Sequence, residues 1–124
     1  MIIGIGIDLI EIERVSVKIS RKKGFKEFVF SKKEMAYCEK KASKFEHYAA
    51  RFAAKEAFFK AIGTGWVKRT HFNEVEITHD ETGKPLLVLR GETKKTLSAL
   101  GITNILVSLT HLKTIASAVV IVEK

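Results

Sequence analysis

Asp8, Glu56, Lys60 and His111 are the side chains in this 124-residue sequence whose types and positions point to chemistry. Asp8 directly follows an apolar, β-branched run and precedes a helical pattern. It reads either as a helix N-cap, with Glu11 completing a capping box, or as a hard-metal ligand at the end of a rigid strand. Glu56 continues an apolar stripe of Phe45, Tyr48, Ala49, Phe52 and Phe59. A carboxylate there is expected on the core side, where burial is costly unless it is paired or bound to a metal. A surface pair with Lys60 stabilises by only a few tenths of a kcal/mol, and it does not explain why an acid interrupts an apolar face. Lys60 suits either a phosphate or the negative end of its helix dipole. His111 is a lone histidine at a strand end, of a kind more often structural or simply exposed. His47, His71 and His79 make no i,i+4 pair and have no cysteine set, which argues against zinc.

Glycine-rich sites are sparse. Gly63-Thr64-Gly65 reads first as a helix stop, and second as backbone able to approach an anionic ligand. Gly4-x-Gly6 lacks the third glycine of a dinucleotide fingerprint, and no Walker-type loop or Gly-x-Ser-x-Gly elbow is present.

These residues need elements to hold them. Residues 2–7 read as a short buried strand ending at Asp8. A helix is expected from about Leu9 to Lys22, with Ile12, Val15 and Ile19 on one face and Arg14, Lys18, Arg21 and Lys22 on another. A helical turn spans Phe25 to Phe30. Ser31-Lys32-Lys33-Glu34 has capping-box form and opens a helix to about Lys41. A long helix is expected from about Ser43 to Ile62. Phe72–Thr78 and Leu86–Leu89 read as strands around an Asp80–Pro85 turn. Glu92–Leu100 reads as a short helix, and Ile105–Leu109 and Ile115–Val122 as a closing pair of strands. The class is α+β: an N-terminal strand, helices, then a mainly antiparallel sheet with one long helix packed on it.

The length suits one domain over residues 1–124. Apolar residues at 46% and charged residues at 29% exclude a disordered chain. No apolar run approaches a membrane span and no basic region precedes the first strand, so neither membrane insertion nor a signal peptide is expected. A single cysteine, Cys38, fits a reducing, cytoplasmic setting. The net charge is +8, and all of it lies between Arg14 and Lys44, where eleven Lys/Arg face three acids. Such a patch implies an anionic partner.

The sequence from Gly4 to Val15, Gly-Ile-Gly-Ile-Asp-Leu-Ile-Glu-Ile-Glu-Arg-Val, resembles the N-terminal motif of holo-[acyl-carrier-protein] synthases, the small 4′-phosphopantetheinyl transferases. Arg51 to Gly65, Arg-Phe-Ala-Ala-Lys-Glu-Ala-Phe-Phe-Lys-Ala-Ile-Gly-Thr-Gly, resembles their second motif. Asp80 to Pro85 and Val107 to His111 resemble the third and fourth blocks, so the likeness spans the chain in order. The resemblance implies that coenzyme A donates 4′-phosphopantetheine to a serine of an apo acyl carrier protein, leaving adenosine 3′,5′-bisphosphate, in support of fatty acid biosynthesis. It implies Mg²⁺ and a homotrimer with sites at subunit interfaces. Asp8 and Glu56 then match metal-binding carboxylates, and Lys60 a phosphate-contacting lysine, the three together forming the catalytic set. Gly63, Thr64, Gly65, Lys84, Pro85 and His111, with Lys60, match coenzyme A positions. Arg14, Lys18, Arg21 and Lys22 match the helix that docks the acidic carrier protein. Lys18 and Lys22 stand where some relatives carry apolar or neutral side chains, and the stretch from Trp66 to Phe72 receives no role. The rival class is a nucleic-acid-binding module using the basic helix. Few aromatics interleave the basic window, and that reading leaves Asp8 and Glu56 unexplained.

Overall fold

The computed structural model describes residues 1–124. Strand β1 (Ile2–Glu11) does not end at Asp8. Its pairing with β5 (Ile115–Glu123) runs through Asp8↔Ala118 to Glu11↔Ile115, and the Ile12 amide still donates to Thr114 O at 2.9 Å. Helix α1 therefore occupies Ile12–Arg21, three residues later than its sequence pattern suggests. Its N-cap is Glu11, with no side-chain cap bond, so neither the Asp8 cap nor its box with Glu11 exists. The strand extends because ladder hydrogen bonds and a period-2 pattern continue past Asp8: Gly4, Gly6, Asp8 and Ile10 face inward, and Ile5, Ile7 and Leu9 face out.

Three helices follow: α2 (Phe25–Val29), α3 (Lys32–Glu39) and α4 (Lys44–Ile62). The capping box of α3 forms as its sequence predicts. The Glu34 amide donates to Ser31 Oγ at 3.2 Å, and the Ser31 amide to Glu34 Oε1 at 2.8 Å. Then come β2 (Val75–His79), β3 (Pro85–Leu89), α5 (Gly91–Thr96) and β4 (Asn104–His111). The strand expected at Phe72 opens instead with a 3-10 turn over Phe72–Glu74, and the helix expected over Glu92–Leu100 divides into α5 and a 3-10 turn at Ser98–Leu100. The strands form two antiparallel sheets, one ordered β1-β5-β4 and one the β2-β3 hairpin, so the α+β class holds.

Helix α4 lies across the inner face of the three-stranded sheet. Ala49, Ala53, Ala54, Ala57 and Ala61 are buried on it, and their small size brings strand and helix close. A Cβ at Gly4 would sit 1.8 Å from Ala61 O, and one at Gly6 would sit 1.9 Å from Ala57 O. The Gly4-x-Gly6 pair is thus a packing device that lays the β1 backbone directly on α4. One core layer lies between α4 and the sheets around Phe58, Val75 and Val120. A second joins α1, α2 and α3 to the first half of α4 through Val15, Phe30 and Tyr48.

Candidate functional site

The close contact of β1 with α4 brings Asp8 over the second half of the helix. Lys60 Nζ donates to Asp8 Oδ1 at 2.8 Å and to Ile7 O at 3.1 Å. Glu56 lies one turn before Lys60 and is half-buried. Its burial, and then the negative charge of Asp8, raise its carboxyl above the ordinary value of 4.5, while Lys60 and Lys18 oppose the rise. Asp8, Glu56 and Lys60 thus form one cluster, although not as the sequence suggests. Lys60 pairs with Asp8 instead of Glu56. Glu56 also does not point into the core: the deepest face of α4 is its alanine face with Phe58, and Phe52 and Glu56 sit on its half-buried margin.

That margin borders a groove whose walls include Phe25, Phe28, Phe52 and Phe72, with Lys22 and Lys23 on its rim and Glu56 on its lining. Lys18 lies over the Phe25 and Phe52 rings, 5.7 and 6.0 Å from their centroids. Arg14, Arg21 and Lys22 are exposed, and Arg14 has only a loose contact with Glu11 at 3.7 Å. The basic helix therefore stands beside the cluster. Beyond Lys60, Gly63 caps α4 with φ of 77°, and Gly65 has φ of 63°. Both face open space, and Thr64 Oγ1 donates to Gly65 O.

Lys84, Pro85 and His111 lie at the other end of α4. Pro85 pairs with His79 across the hairpin, and Lys84 is exposed beside them, its amide donating to Asp80 Oδ1 at 3.0 Å. His111 Nδ1 is 3.6 Å from Glu46 Oε1, and its ring is 5.4 Å from that of His47. From His47 to Lys60 the helix climbs about 20 Å at 1.5 Å per residue. Within one chain these residues are not brought to Asp8.

At that end stands a group that sequence reasoning missed. Arg51 is 2% exposed and has no carboxylate partner. Its Nη1 donates to His47 O and its Nη2 lies 3.4 Å from His79 Nε2, while Nε has no partner. The guanidinium lies 4.2 Å from the Tyr37 ring, which stacks on His79 at 4.7 Å and also carries Lys41 at 4.7 Å. Burial, and then the Arg51 charge, push both His47 and His79 below 6.5. A readable signal existed: His47, Arg51 and Lys55 recur at four-residue spacing with no acid among them. Lys55 finds its counter-charge in Glu34, and Arg51 finds none. Cys38 is buried, and its thiol is pushed up to about 12, which leaves it inert.

Residues 4–113 match the family model of the 4′-phosphopantetheinyl transferase superfamily. The chain is 45% identical to the holo-[acyl-carrier-protein] synthase of Solibacter usitatus, over 99% of each chain. It is also 45% identical to that of Cytophaga hutchinsonii, over 100% of this chain and 99% of the other. The crystal structure of the Neisseria meningitidis holo-[acyl-carrier-protein] synthase superposes with a TM-score of 0.89 at 31% identity, covering all of both chains. The Bacillus anthracis synthase, solved in complex with CoA (3′,5′-ADP), superposes with a TM-score of 0.81 at 36% identity over 100% of this chain and 98% of that one.

Proposed function

The chain belongs to the holo-[acyl-carrier-protein] synthases of the 4′-phosphopantetheinyl transferase superfamily, and we propose that it moves the 4′-phosphopantetheine of coenzyme A onto a serine of an apo acyl carrier protein. The observation that carries this reading is the joining of Asp8, Glu56 and Lys60 at a groove bordered by a basic helix.

The donor set suits Mg²⁺. Two carboxylates close enough for Asp8 to raise Glu56 are a like-charged pair that a divalent cation relieves, and Mg²⁺ commonly takes one or two carboxylates and completes its shell with substrate phosphates and water. Asp8 and Glu56 would hold it, and bound there it polarises the transferred phosphoryl group and offsets charge on the leaving phosphate. Lys60 leaves Asp8 to neutralise phosphate oxygens, adding a fixed positive charge where charge develops. Phe25, Phe52 and Phe72 shield the groove from water. Arg14, Lys18, Arg21 and Lys22 dock the acidic carrier protein so that its serine reaches the phosphoryl group in a fixed orientation.

Gly63–Gly65 and the group of Lys84, Pro85, His111 and Arg51 lie at opposite ends of α4, and we read them as halves of coenzyme A sites completed by neighbouring subunits. The outer sheet face supports this reading. Ile5, Ile7 and Leu9 are 66%, 65% and 68% exposed, with Leu106 and Ile115 continuing the apolar face on the other two strands. A contiguous apolar surface of this kind marks a contact with other chains, and a homotrimer buries it. We read residues 1–124 as one transferase domain, since the first and last strands pair with each other. No helix is long and apolar enough to cross a membrane. A cytoplasmic location and a supply of holo carrier protein for fatty acid biosynthesis complete the proposal.

The test is the mass of the carrier. With coenzyme A and Mg²⁺, apo acyl carrier protein gains one phosphopantetheine, and Glu56→Gln abolishes the gain while the circular dichroism and melting transition stay native. A carrier left unmodified by the wild-type protein overturns the reading. Full activity in Glu56→Gln removes Glu56 from the metal site.

A further inference from the structure

Lys55 and Glu34 are both completely buried, and no step above uses them. Lys55 Nζ donates to Glu34 Oε1 at 2.8 Å, to Phe72 O at 2.8 Å and to Val75 O at 2.6 Å. Glu34 is equally engaged. Its Oε1 also accepts from the Ser31 amide at 2.8 Å, and its Oε2 accepts from the Ile77 amide at 2.9 Å. Every proton of the ammonium and both carboxylate oxygens are satisfied.

A buried ion pair is poor evidence for stability, since apolar residues of similar volume often serve as well or better. What it supplies instead is direction. Apolar side chains let a helix slide or roll by a fraction of an ångström, whereas three bonds from one nitrogen do not. Lys55 directly precedes Glu56 on α4. Its anchors are α3 through Glu34, the 3-10 turn through Phe72 O, and the start of β2 through Val75 O. Phe72 and Glu56 line the same groove. A single nitrogen thus ties the helix carrying Glu56 to the segment carrying the opposing wall. The ring of Phe72 also packs on Phe52 and Phe59 at 6.3 and 5.3 Å, so a shift of that segment moves the groove as a whole.

The geometry points to the Lys55–Glu34 pair as a positioning device for the transfer reaction, one that sets the height and rotation of Glu56 against Phe72 and Asp8. It rests on the reading of Glu56 as a site residue, and Glu56→Gln tests that reading separately.

Three variants test it: Lys55→Met, Glu34→Gln and the double variant. Removing one partner leaves an uncompensated buried charge, so each single variant melts lower. The double variant restores neutrality and recovers much of the melting temperature, but it lacks the ammonium tethers. Displacement of a reacting group by about 1 Å costs about 10²-fold. Lys55→Met and the double variant are therefore expected to lose about 10²-fold in kcat, with the KM for coenzyme A within about threefold of wild type. Glu34→Gln keeps the carbonyl anchors of Lys55, and its kcat falls less. It supplies the same kcat-against-KM split should Lys55→Met be unfolded at the assay temperature. Recovery of kcat in step with melting temperature in the double variant overturns the inference, as does wild-type kcat in any folded variant lacking Lys55. An unchanged kcat in folded Glu34→Gln also overturns it. An inactive wild-type protein instead overturns the proposed transferase reaction.

Discussion

Arg51 shows how much a single side chain depends on what is missing around it. An arginine cannot shed its charge, so one buried without a carboxylate and with a free Nε is held for an anion. In the proposed function that anion is a phosphate of coenzyme A. The histidines beside it report the same charge. Burial and Arg51 lower His47 and His79 beneath 6.5, so the folded state binds their protons less well than the unfolded state. Their effect on stability is absent above about 6.5 and becomes a penalty as the pH falls below it. In an NMR pH titration, His79 should titrate below 6.5 in the wild type and move upward in Arg51→Gln. An unmoved His79 would show that it does not feel the guanidinium. None of this was readable one residue at a time. His79 and Tyr37 reach Arg51 from elements far away in sequence, and only their meeting makes the cluster.

At the scale of elements, β1 against α4 decides the site. Gly4 and Gly6 let the strand backbone rest on helix carbonyls, and Asp8 follows two residues later on the same face. Gly6→Ala places a methyl group 1.9 Å from Ala57 O, where backbone on both sides must move. It should cost about 1–3 kcal/mol, read as a fall in chemical-denaturation midpoint, and lower kcat by separating Asp8 from Glu56. A fully stable Gly6→Ala would show that the contact is slack. Helix α1 makes its contribution through charge. Arg21→Ala should raise the KM for carrier protein and flatten its dependence on salt, with the KM for coenzyme A unchanged. An effect confined to coenzyme A would place Arg21 elsewhere. The helical face of α1 was readable, since Ile12, Val15 and Ile19 do turn inward. Its start was not. The Asp8-to-Glu11 spacing imitates a cap, and the ladder that overrides it comes from β5, with Ser117 Oγ donating to Asp8 O at 2.9 Å.

The whole molecule presents one apolar sheet face to the outside and carries its proposed coenzyme A residues in two separated groups. Both features are accounted for by a second and third copy. Ile7→Asp puts a charge at the centre of the outer face and leaves the core untouched, because residue 7 is 65% exposed in the single chain. Sedimentation velocity should show monomers, and activity should fall with the native far-ultraviolet spectrum retained. A trimer that survives Ile7→Asp would show that this face is not the contact.

The sequence by itself determined the local terms: the capping box at Ser31, the amphipathic face of α1, the helix stop at Gly63, and the basic third between Arg14 and Lys44. It also carried two motifs specific enough to name a family. These are legible because periodicity, capping and charge runs act between residues a few positions apart. Tertiary structure alone decided which charges meet. It paired Lys60 with Asp8 instead of Glu56, gave Lys55 a buried carboxylate, left Arg51 without one, and set His111 at the far end of α4 from Gly63. Those outcomes depend on the path of the chain between residues tens of positions apart, and no local pattern encodes that path.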